Sequence, residues 1–144
     1  MRKYIMLMMG FLSHWHHRTT AEQFRQAQID RSQPWILDYL AEHDGCIQRQ
    51  LAERAHFDPA SITSALVRME EQGMVRREPV PGDRRALRVY LTEKGREKQR
   101  YVQQVFSDTE EIALRGFDAQ ERAQLEAFLE RIHDNLERED EKTI

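Results

Sequence analysis

One stretch, residues 58–73, constrains the fold more than any other because helix signals bound it at both ends. Asp58 is a favourable N-cap, since its carboxylate accepts hydrogen bonds from the free N–H groups of a first helical turn. Pro59 follows at the first helical position, where no N–H is needed. Gly73 suits the left-handed position that commonly ends a helix. The sequence therefore predicts a helix of defined length between these residues.

This predicted helix has two unlike faces. Apolar side chains recur at helical spacing and indicate the buried stripe: Ile62, Ala65, Leu66 and Met69. The opposite face is short-chained and rich in hydrogen-bond donors: Ser61, Thr63, Ser64, Val67 and Arg68. Small side chains let a helix backbone approach the base edges of a major groove. An ordinary solvated surface is the alternative interpretation of this face when it is taken alone.

Two strand-like segments, residues 74–78 and 86–91, follow the helix. The second alternates apolar with polar side chains, as a half-buried strand does. Two prolines and a glycine within residues 79–82 indicate a turn between them. The ribbon would carry three charged residues near its tip: Asp83, Arg84 and Arg85. Arginine at such a tip suits a narrow minor groove, where the negative potential of the duplex is concentrated.

The order of these segments resembles the MarR family (multiple antibiotic resistance regulators) of winged helix-turn-helix proteins, over roughly residues 29–96. Besides Gln33 and residues 50–54, the similarity rests on three runs: Met74-Val75-Arg76-Arg77, Asp83-Arg84-Arg85 and Leu91-Thr92-Glu93-Lys94-Gly95. The resemblance implies a mainly α (α+β) fold, a winged helix-turn-helix with long N- and C-terminal dimerisation helices. It also implies that Asp83 pairs with a wing arginine and positions it beside the phosphates.

Three regions follow from this interpretation: an N-terminal dimerisation helix region (1–28), a winged helix-turn-helix DNA-binding domain (29–96) and C-terminal dimerisation helices (97–144). A helix over residues 1–18 would be apolar around much of its circumference, which favours a partner subunit as a second packing surface. Thr19 or Thr20 predicts a fresh helix start through a capping box, and Asp30 with Gln33 predicts another. Heptad-like apolar spacing over residues 125–136 also requires a partner helix.

The distribution of charge favours a nucleic-acid partner, although the net charge of the chain is −3. Residues 61–100 carry 10 basic and 6 acidic side chains, a net charge of +4. Residues 101–144 carry 5 basic and 12 acidic side chains, a net charge of −7. Because the field at a surface depends on local charge, the basic excess coincides with the segment that would meet the duplex.

Several classes of protein are disfavoured by what the sequence lacks. It contains no Ser-His-Asp spacing, no phosphate-binding glycine loop and no metal motif, so we expect no enzymatic activity, no cofactor and no bound metal. The apolar run at residues 4–12 is too short to span a bilayer. One cysteine, Cys46, leaves no internal disulfide and fits a reducing cytoplasm, where we expect the protein to reside.

Two sets of residues suggest regulation by a small molecule or ion. His14 and His17 are one helical turn apart and share a face, but a zinc site needs further ligands from elsewhere. Cys46 suits a redox sensor only if its thiol is accessible and acidic, whereas a strand position favours an inert buried thiol. Four aromatic residues are candidates for an effector pocket, with ordinary core packing as the alternative: Trp15, Trp35, Tyr39 and Tyr101.

The sequence thus predicts a homodimeric, sequence-specific DNA-binding regulator of transcription, acting as a repressor on a pseudo-palindromic operator and released by a small aromatic effector. The residues expected to contact DNA are Ser61, Thr63, Ser64, Arg68, Arg84 and Arg85, with Asp83 positioning the wing. The alternatives are a winged-helix protein-interaction module without DNA readout, and a metal- or thiol-responsive variant.

Overall fold

The computed structural model describes residues 4–55 and 58–143. It contains these elements in chain order: α1 (Ile5–Gln26), α2 (Gln33–Glu42), β1 (Cys46–Ile47), α3 (Gln48–Arg54), α4 (Pro59–Glu71), β2 (Val75–Val80), β3 (Asp83–Leu91), α5 (Glu93–Ala113) and α6 (Ala119–Glu141). The segment between α3 and α4 at residues 56–57 lies outside the described residues, as do the first three residues of the predicted N-terminal helix. The mainly helical architecture with a small sheet confirms the predicted fold class.

The described residues up to Thr109 form one compact unit, and those from Glu110 onward form a second. The first unit holds the core, which is built from α1, α2, α3, α4, the sheet and α5. Within the described part of the chain, no helix combines the length with the apolar composition needed to cross a bilayer.

The predicted caps of α4 are present. The Asp58 carboxylate accepts the backbone N–H of Ser61 at 2.9 Å, and Gly73 ends the helix with a positive φ of 76°. In the second unit, Asp118 and Glu121 form the reciprocal capping box that begins α6. These elements begin and end where local hydrogen bonding dictates, because a capping side chain reaches only the turn beside it.

The three strands form one antiparallel sheet in the order β1-β3-β2. β1 pairs through Cys46 with Val89, which places Cys46 at the strand position considered for its thiol. β2 and β3 are longer than the sequence predicts, since β2 continues to Val80 and β3 begins at Asp83. Only Pro81 and Gly82 remain as the turn, and the φ of 82° at Gly82 suits glycine. The ribbon is therefore extended almost to its tip.

The start of α5 lies against the start of the ribbon. The Thr92 hydroxyl donates to the carbonyl of Gly73 and accepts the backbone N–H of Gly95. Gly95 is buried, and a Cβ built there would lie 1.9 Å from the carbonyl oxygen of Met74. This close approach requires glycine, because the neighbouring atom belongs to the backbone and has little freedom to move.

Two predicted helix starts are wrong. α1 runs unbroken through Thr19 and Thr20, whose hydroxyls donate to carbonyls in the preceding turn of the same helix instead of capping a new one. Only one of the two hydrogen bonds of the predicted Asp30–Gln33 capping box is present: Gln33 Oε1 accepts the Asp30 N–H. The N-cap of α2 is Ser32 instead of Asp30. Gln33 is fully buried, so tertiary packing decides where its amide lies.

Candidate nucleic-acid interface

α4 is the helix predicted to contact DNA bases and is called the reading helix. One of its faces is buried and the other is exposed. Its apolar stripe has no solvent exposure and packs in the core of the first unit: Ile62, Ala65, Leu66 and Met69. Every residue of the predicted DNA face is exposed: Ser61, Thr63, Ser64, Val67 and Arg68. The side chains predicted to meet DNA on this helix therefore share one surface, and burial of the other face fixes its orientation.

The three hydroxyls on this face are not equivalent. The Ser61 hydroxyl donates to the Asp58 carboxylate, and the Thr63 hydroxyl donates to the carbonyl of Pro59 at 3.0 Å. The hydrogen bonds from the Ser61 hydroxyl and then from its backbone N–H lower the pKa of the Asp58 carboxyl. Ser64 has no such partner among the described residues, so its hydroxyl is the one available to a base or phosphate without rearrangement.

Arg68 does not point freely into solvent. Its guanidinium lies 3.5 Å from the carboxylate of Asp30, in the loop before α2, and both side chains are about half exposed. An ion pair of this exposure is weak, so the guanidinium remains able to turn towards DNA. The sequence signal for Arg68 was its position on α4, whereas nothing in the sequence indicated Asp30 as its partner.

A second arginine joins α4 to the ribbon. Arg77 of β2 makes two hydrogen bonds from its guanidinium to the Glu70 carboxylate and a third to the side chain of Gln48 in α3. Its backbone N–H also donates to Glu70 at 3.1 Å. These contacts lower the pKa of the Glu70 carboxyl, chiefly through the side-chain hydrogen bonds. Arg77 therefore links α4 and α3 to the base of the wing through charge-assisted hydrogen bonds.

At the tip of the wing, two arginines have no side-chain partner among the described residues. Arg84 and Arg85 are exposed, and no acidic side chain of the described residues pairs with either guanidinium. The Asp83 carboxylate instead accepts the backbone N–H of Arg85 at 2.9 Å. The side-chain pairing implied by the family resemblance is thus replaced by a contact with the backbone, which an Asp makes readily two residues along a turn. Asp83 shapes the tip of the ribbon and leaves both guanidiniums free.

The base of the wing is held by polar contacts to the segment before β1. Arg88 donates to the carbonyl of Gly45 at 3.0 Å, and Asp44 accepts the backbone N–H of Leu91 at 2.8 Å. Asp44 also pairs with Arg96 of α5 at 2.8 Å. These contacts anchor the base of the ribbon to the core of the first unit.

A cavity of about 910 Å³ lies between α1, the start of α2 and α5, within the first unit. Its lining combines aromatic rings with basic and polar groups; the residues that bear on its chemistry are His14, His16, His17, Arg18, Phe24, Arg25, Arg31, Trp35 and Phe106. Burial, and then the neighbouring His17, lower the pKa of His16. His16 therefore remains neutral at pH 7 and offers one donor and one acceptor.

Of the four aromatic residues predicted for a pocket, Trp35 lines this cavity and the other three do not. Trp15 is 60% exposed on α1. Tyr39 stacks between Trp35 and His43, with ring centroids 5.0 and 4.2 Å away. The Tyr101 hydroxyl donates to the carbonyl of Gln23. Helical phase relative to neighbouring helices decides which rings meet, and that phase depends on packing that the sequence pattern does not specify.

The structure also bears on the two sensing alternatives. His14 and His17 both line the cavity, but the group of potential metal ligands that converges within the described residues is elsewhere, at His133, Asp134 and Glu137 on the surface of α6. Burial, and then the charge of Asp44, raise the pKa of the Cys46 thiol. A raised thiol pKa lowers the thiolate fraction on which oxidation depends, and so disfavours redox sensing at Cys46.

A polar depression that no sequence pattern predicted lies beside α4. This open concave site of about 590 Å³ is lined by Asp30, Arg31, Ser32, Ala60, Ser61, Ser64 and Arg68. It joins the loop before α2 to the DNA face of α4. Arg31 and Ser32 carry groups that bind phosphate, and their position just before a helix was the available signal.

The arrangement is that of a winged helix-turn-helix DNA-binding protein, and comparison with known proteins agrees. A sequence profile of the MarR family matches residues 27–86. The uncharacterized HTH-type transcriptional regulator YybA of Bacillus subtilis is 29% identical over 117 residues, which cover 81% of this chain and 78% of that protein. The crystal structure of the transcriptional regulator SlyA has a TM-score of 0.91 at 25% identity, covering 99% of this chain and 100% of that one.

A structure of S. aureus MepR in complex with DNA has a TM-score of 0.83 at 20% identity, covering 94% of this chain and 99% of that one. Residues 27–86 thus carry the MarR-family profile, and the fold is that of winged helix-turn-helix transcriptional regulators. The proteins to which the chain is similar are transcriptional regulators rather than enzymes, and these similarities support a DNA-binding regulator of transcription.

Proposed function

We propose that this protein is a homodimeric repressor that binds a pseudo-palindromic operator in a sequence-specific manner. α4 enters the major groove and the tip of the β2–β3 wing enters the adjacent minor groove. The observation that carries the proposal is the two-faced α4, whose apolar side has no solvent exposure while its short polar side is fully presented. Such a helix is oriented by its own core and needs no further change to approach base edges.

The proposed contacts divide into two kinds. On α4, Ser64 and Arg68 reach base edges, while Ser61 and Thr63 contact the backbone of the duplex near the first turn. At the wing, Arg84 and Arg85 meet phosphates and the minor groove, where affinity is gained without a base code. The net charge of +4 over residues 61–100 supports this assignment, since phosphate attraction supplies much of the affinity of such complexes.

We assign dimerisation to residues 1–28 and 97–144, and DNA binding to residues 29–96. Large apolar side chains of α1, of its N-cap Tyr4 and of α6 support this division because they are exposed in a single chain: Tyr4, Ile5, Met6, Leu7, Met8, Phe11, Leu12, Trp15, Phe128, Leu129 and Leu136. Exposed apolar surface of this extent marks an interaction site. A two-fold dimer would place its two reading helices about 34–36 Å apart, one turn of duplex.

The cavity beside α1 is the proposed site for a small aromatic effector that releases the operator. Phe24, Trp35 and Phe106 supply rings on which an aromatic molecule stacks, and Arg31 supplies a cation for a polar substituent. A site with apolar walls and a few convergent polar groups is typical of small-molecule binding. Trp15, Tyr39 and Tyr101 belong to the surroundings of this site rather than to its lining.

The proposal is tested first at Arg68. Arg68→Ala removes the longest side chain from the DNA face without touching the core, so it should lower affinity for the preferred duplex by about 1–3 kcal/mol. The measurement is a gel-shift titration on the duplex selected by wild-type protein from a randomised pool. Arg138→Ala on α6 deletes the same charge within the acidic segment and serves as the control. Normal binding by Arg68→Ala, or an equal loss in the control, would contradict the docking.

A second test concerns the wing. Arg85→Ala should weaken binding to many sequences alike and reduce the salt slope by about one unit, because a phosphate contact carries no base code. Asp83→Ala should also weaken binding, since it removes the acceptor for the Arg85 backbone N–H. Simple repulsion between Asp83 and phosphate predicts tighter binding instead. Affinities of both variants at several salt concentrations decide between these outcomes.

A further inference from the structure

Two contacts, one helical turn apart along α4 and its C-cap, join α4 to the loop before α2 and to the first residue of α2. The Asp30 carboxylate lies 3.5 Å from the Arg68 guanidinium. The buried amide of Gln33 donates to the side chain of Gln72 at 3.0 Å. Positions 68 and 72 face the same side of a helix, since they are four residues apart. The loop therefore follows the reading helix closely.

Asp30 is itself held in place from inside the protein. Its backbone N–H donates to Gln33 Oε1 at 3.0 Å, and its carbonyl accepts the N–H of Gln33 at the same distance. Gln33 has no solvent exposure. The carboxylate is thus presented from a fixed backbone, and Arg68 is the mobile partner of the pair. A long arginine side chain loses considerable rotamer freedom when it is held in this way.

We propose that Asp30 is a specificity-determining positioning residue that holds the Arg68 guanidinium over the DNA face of α4. This inference rests on the proposed function and assigns to Asp30 a role in that same site. Without Asp30, the guanidinium is free to turn to the nearest phosphate, which attracts it equally at every sequence. With Asp30, the guanidinium favours the orientation that the weak ion pair selects, and from this orientation it reaches a guanine edge for a bidentate contact.

The charge of Asp30 distinguishes this role from a simple aid to affinity. A carboxylate on a DNA-facing surface repels phosphate, so its presence lowers affinity for every duplex. Asp30 therefore lowers affinity for all duplexes while it increases the preference for the operator over other sequences, as repulsive groups do in other specific interfaces. Loss of Asp30 should therefore change the ratio of the affinity for the preferred duplex to the affinity for non-specific DNA.

The test compares wild type, Asp30→Asn, Arg68→Ala and the double variant. Each is titrated with the duplex selected by wild type from a randomised pool and with poly(dA-dT), which lacks the guanine O6 and N7 edge. The specificity ratio is the dissociation constant for poly(dA-dT) divided by that for the selected duplex. Asp30→Asn should lower that ratio by about fivefold, the upper range for a half-exposed ion pair. Its binding to poly(dA-dT) should be unchanged or tighter. In the Arg68→Ala background, Asp30→Asn should leave the ratio unchanged.

Two further variants serve as controls. Glu71→Gln removes an exposed carboxylate from α4 three residues beyond Arg68, where no contact with that guanidinium is made within the described residues, and should leave the ratio intact. Asp30→Glu retains a carboxylate and should recover most of the discrimination. Thermal unfolding of each variant establishes that it is folded. An additive effect of Asp30→Asn in the Arg68→Ala background would overturn the proposal.

The outcomes also separate this inference from the function on which it rests. If Arg68→Ala keeps the full specificity ratio, base contact by Arg68 is wrong and the role of Asp30 is wrong with it. If Arg68→Ala lowers the ratio while Asp30→Asn leaves it intact, DNA reading by α4 stands and only the positioning role of Asp30 is refuted.

Discussion

The reading helix α4 and the last helix α6 are both amphipathic, yet they differ in what covers their apolar faces. The apolar stripe of α4 has no exposure, because the sheet and neighbouring helices of the same chain enclose it. α6 has no buried residue, and three of its apolar side chains are exposed by 43–54%: Phe128, Leu129 and Leu136. Amphipathic spacing therefore indicates that a face will be covered, but not which chain covers it.

α1 contains both situations within one helix. Its C-terminal half buries Thr20 and Phe24 in the first unit, whereas its N-terminal half exposes most of its apolar side chains. Contacts within the chain thus organise the DNA-reading region. The N-terminal half of α1 and the apolar face of α6 are not covered within the described chain. If a second copy supplies the covering surface, the DNA-reading region folds within one chain. The formation of the dimer that binds DNA then depends on protein concentration.

The largest effect is expected from placing a charge on the apolar face of α6. Leu129→Glu would bury an unpaired carboxylate in the proposed dimer interface, at a cost of about 3–5 kcal/mol. The dissociation constant of the dimer should rise about a thousandfold, and affinity for the selected duplex should fall with it. Sedimentation velocity measures the first and gel shift the second. Ala127→Glu adds the same charge on the opposite face of the helix and should change neither.

An unchanged dimer in Leu129→Glu would mean that α6 is not part of the interface. A monomeric wild type at micromolar concentration would refute the homodimer altogether. In either case the exposed apolar face of α6 would require an explanation other than dimerisation.

The next largest effect is expected at Gly95, in the buried contact between α5 and the ribbon. Gly95→Ala should destabilise the protein by about 3 kcal/mol, since the added methyl group meets the Met74 carbonyl oxygen and forces the backbone to move. Urea unfolding at fixed protein concentration measures the loss. Glu97→Ala places the same residue at an exposed position two residues along α5 and should stay within about 0.5 kcal/mol of wild type. A stable Gly95→Ala variant would show that the contact between α5 and the ribbon yields more easily than the structure implies.

The smallest effect concerns the pair that joins α4 to the wing, and it depends on pH. Glu70→Gln should lower the free energy of unfolding at pH 7 by about 0.5–1 kcal/mol, because solvent screens a carboxylate that is 42% exposed. The pKa of Glu70 is lowered in the folded protein, so its stabilising contribution is present above the ordinary carboxyl pKa. That contribution is lost as pH falls through the folded pKa.

The measurement is urea unfolding of wild type and Glu70→Gln at pH 7 and at about pH 3, below the ordinary glutamate pKa. The difference between them should shrink at the lower pH. Glu71→Gln, the adjacent exposed position, controls for loss of charge and should show little difference at either pH. A constant difference for Glu70→Gln would mean that its contact with Arg77 does not depend on the ionised carboxylate.

The sequence by itself determined the elements whose signals are local. Asp58, Pro59 and Gly73 define α4, and the pair Asp118 and Glu121 begins α6, because a capping group acts within a few residues of itself. The apolar period of α4 also determined which side would face solvent, and hence where its candidate DNA contacts lie. These features require no knowledge of the rest of the chain.

Only the tertiary structure decided which distant groups meet. Asp30 contacts Arg68, and Gln33 contacts Gln72 across 39 positions of sequence. The cavity gathers Trp35 but leaves out Trp15, and α1 continues through two threonines that looked like caps. The physical reason is that such contacts depend on the rotation and spacing of packed helices, which many side chains set together. A period along one helix fixes its faces, but not the neighbour that each face will touch.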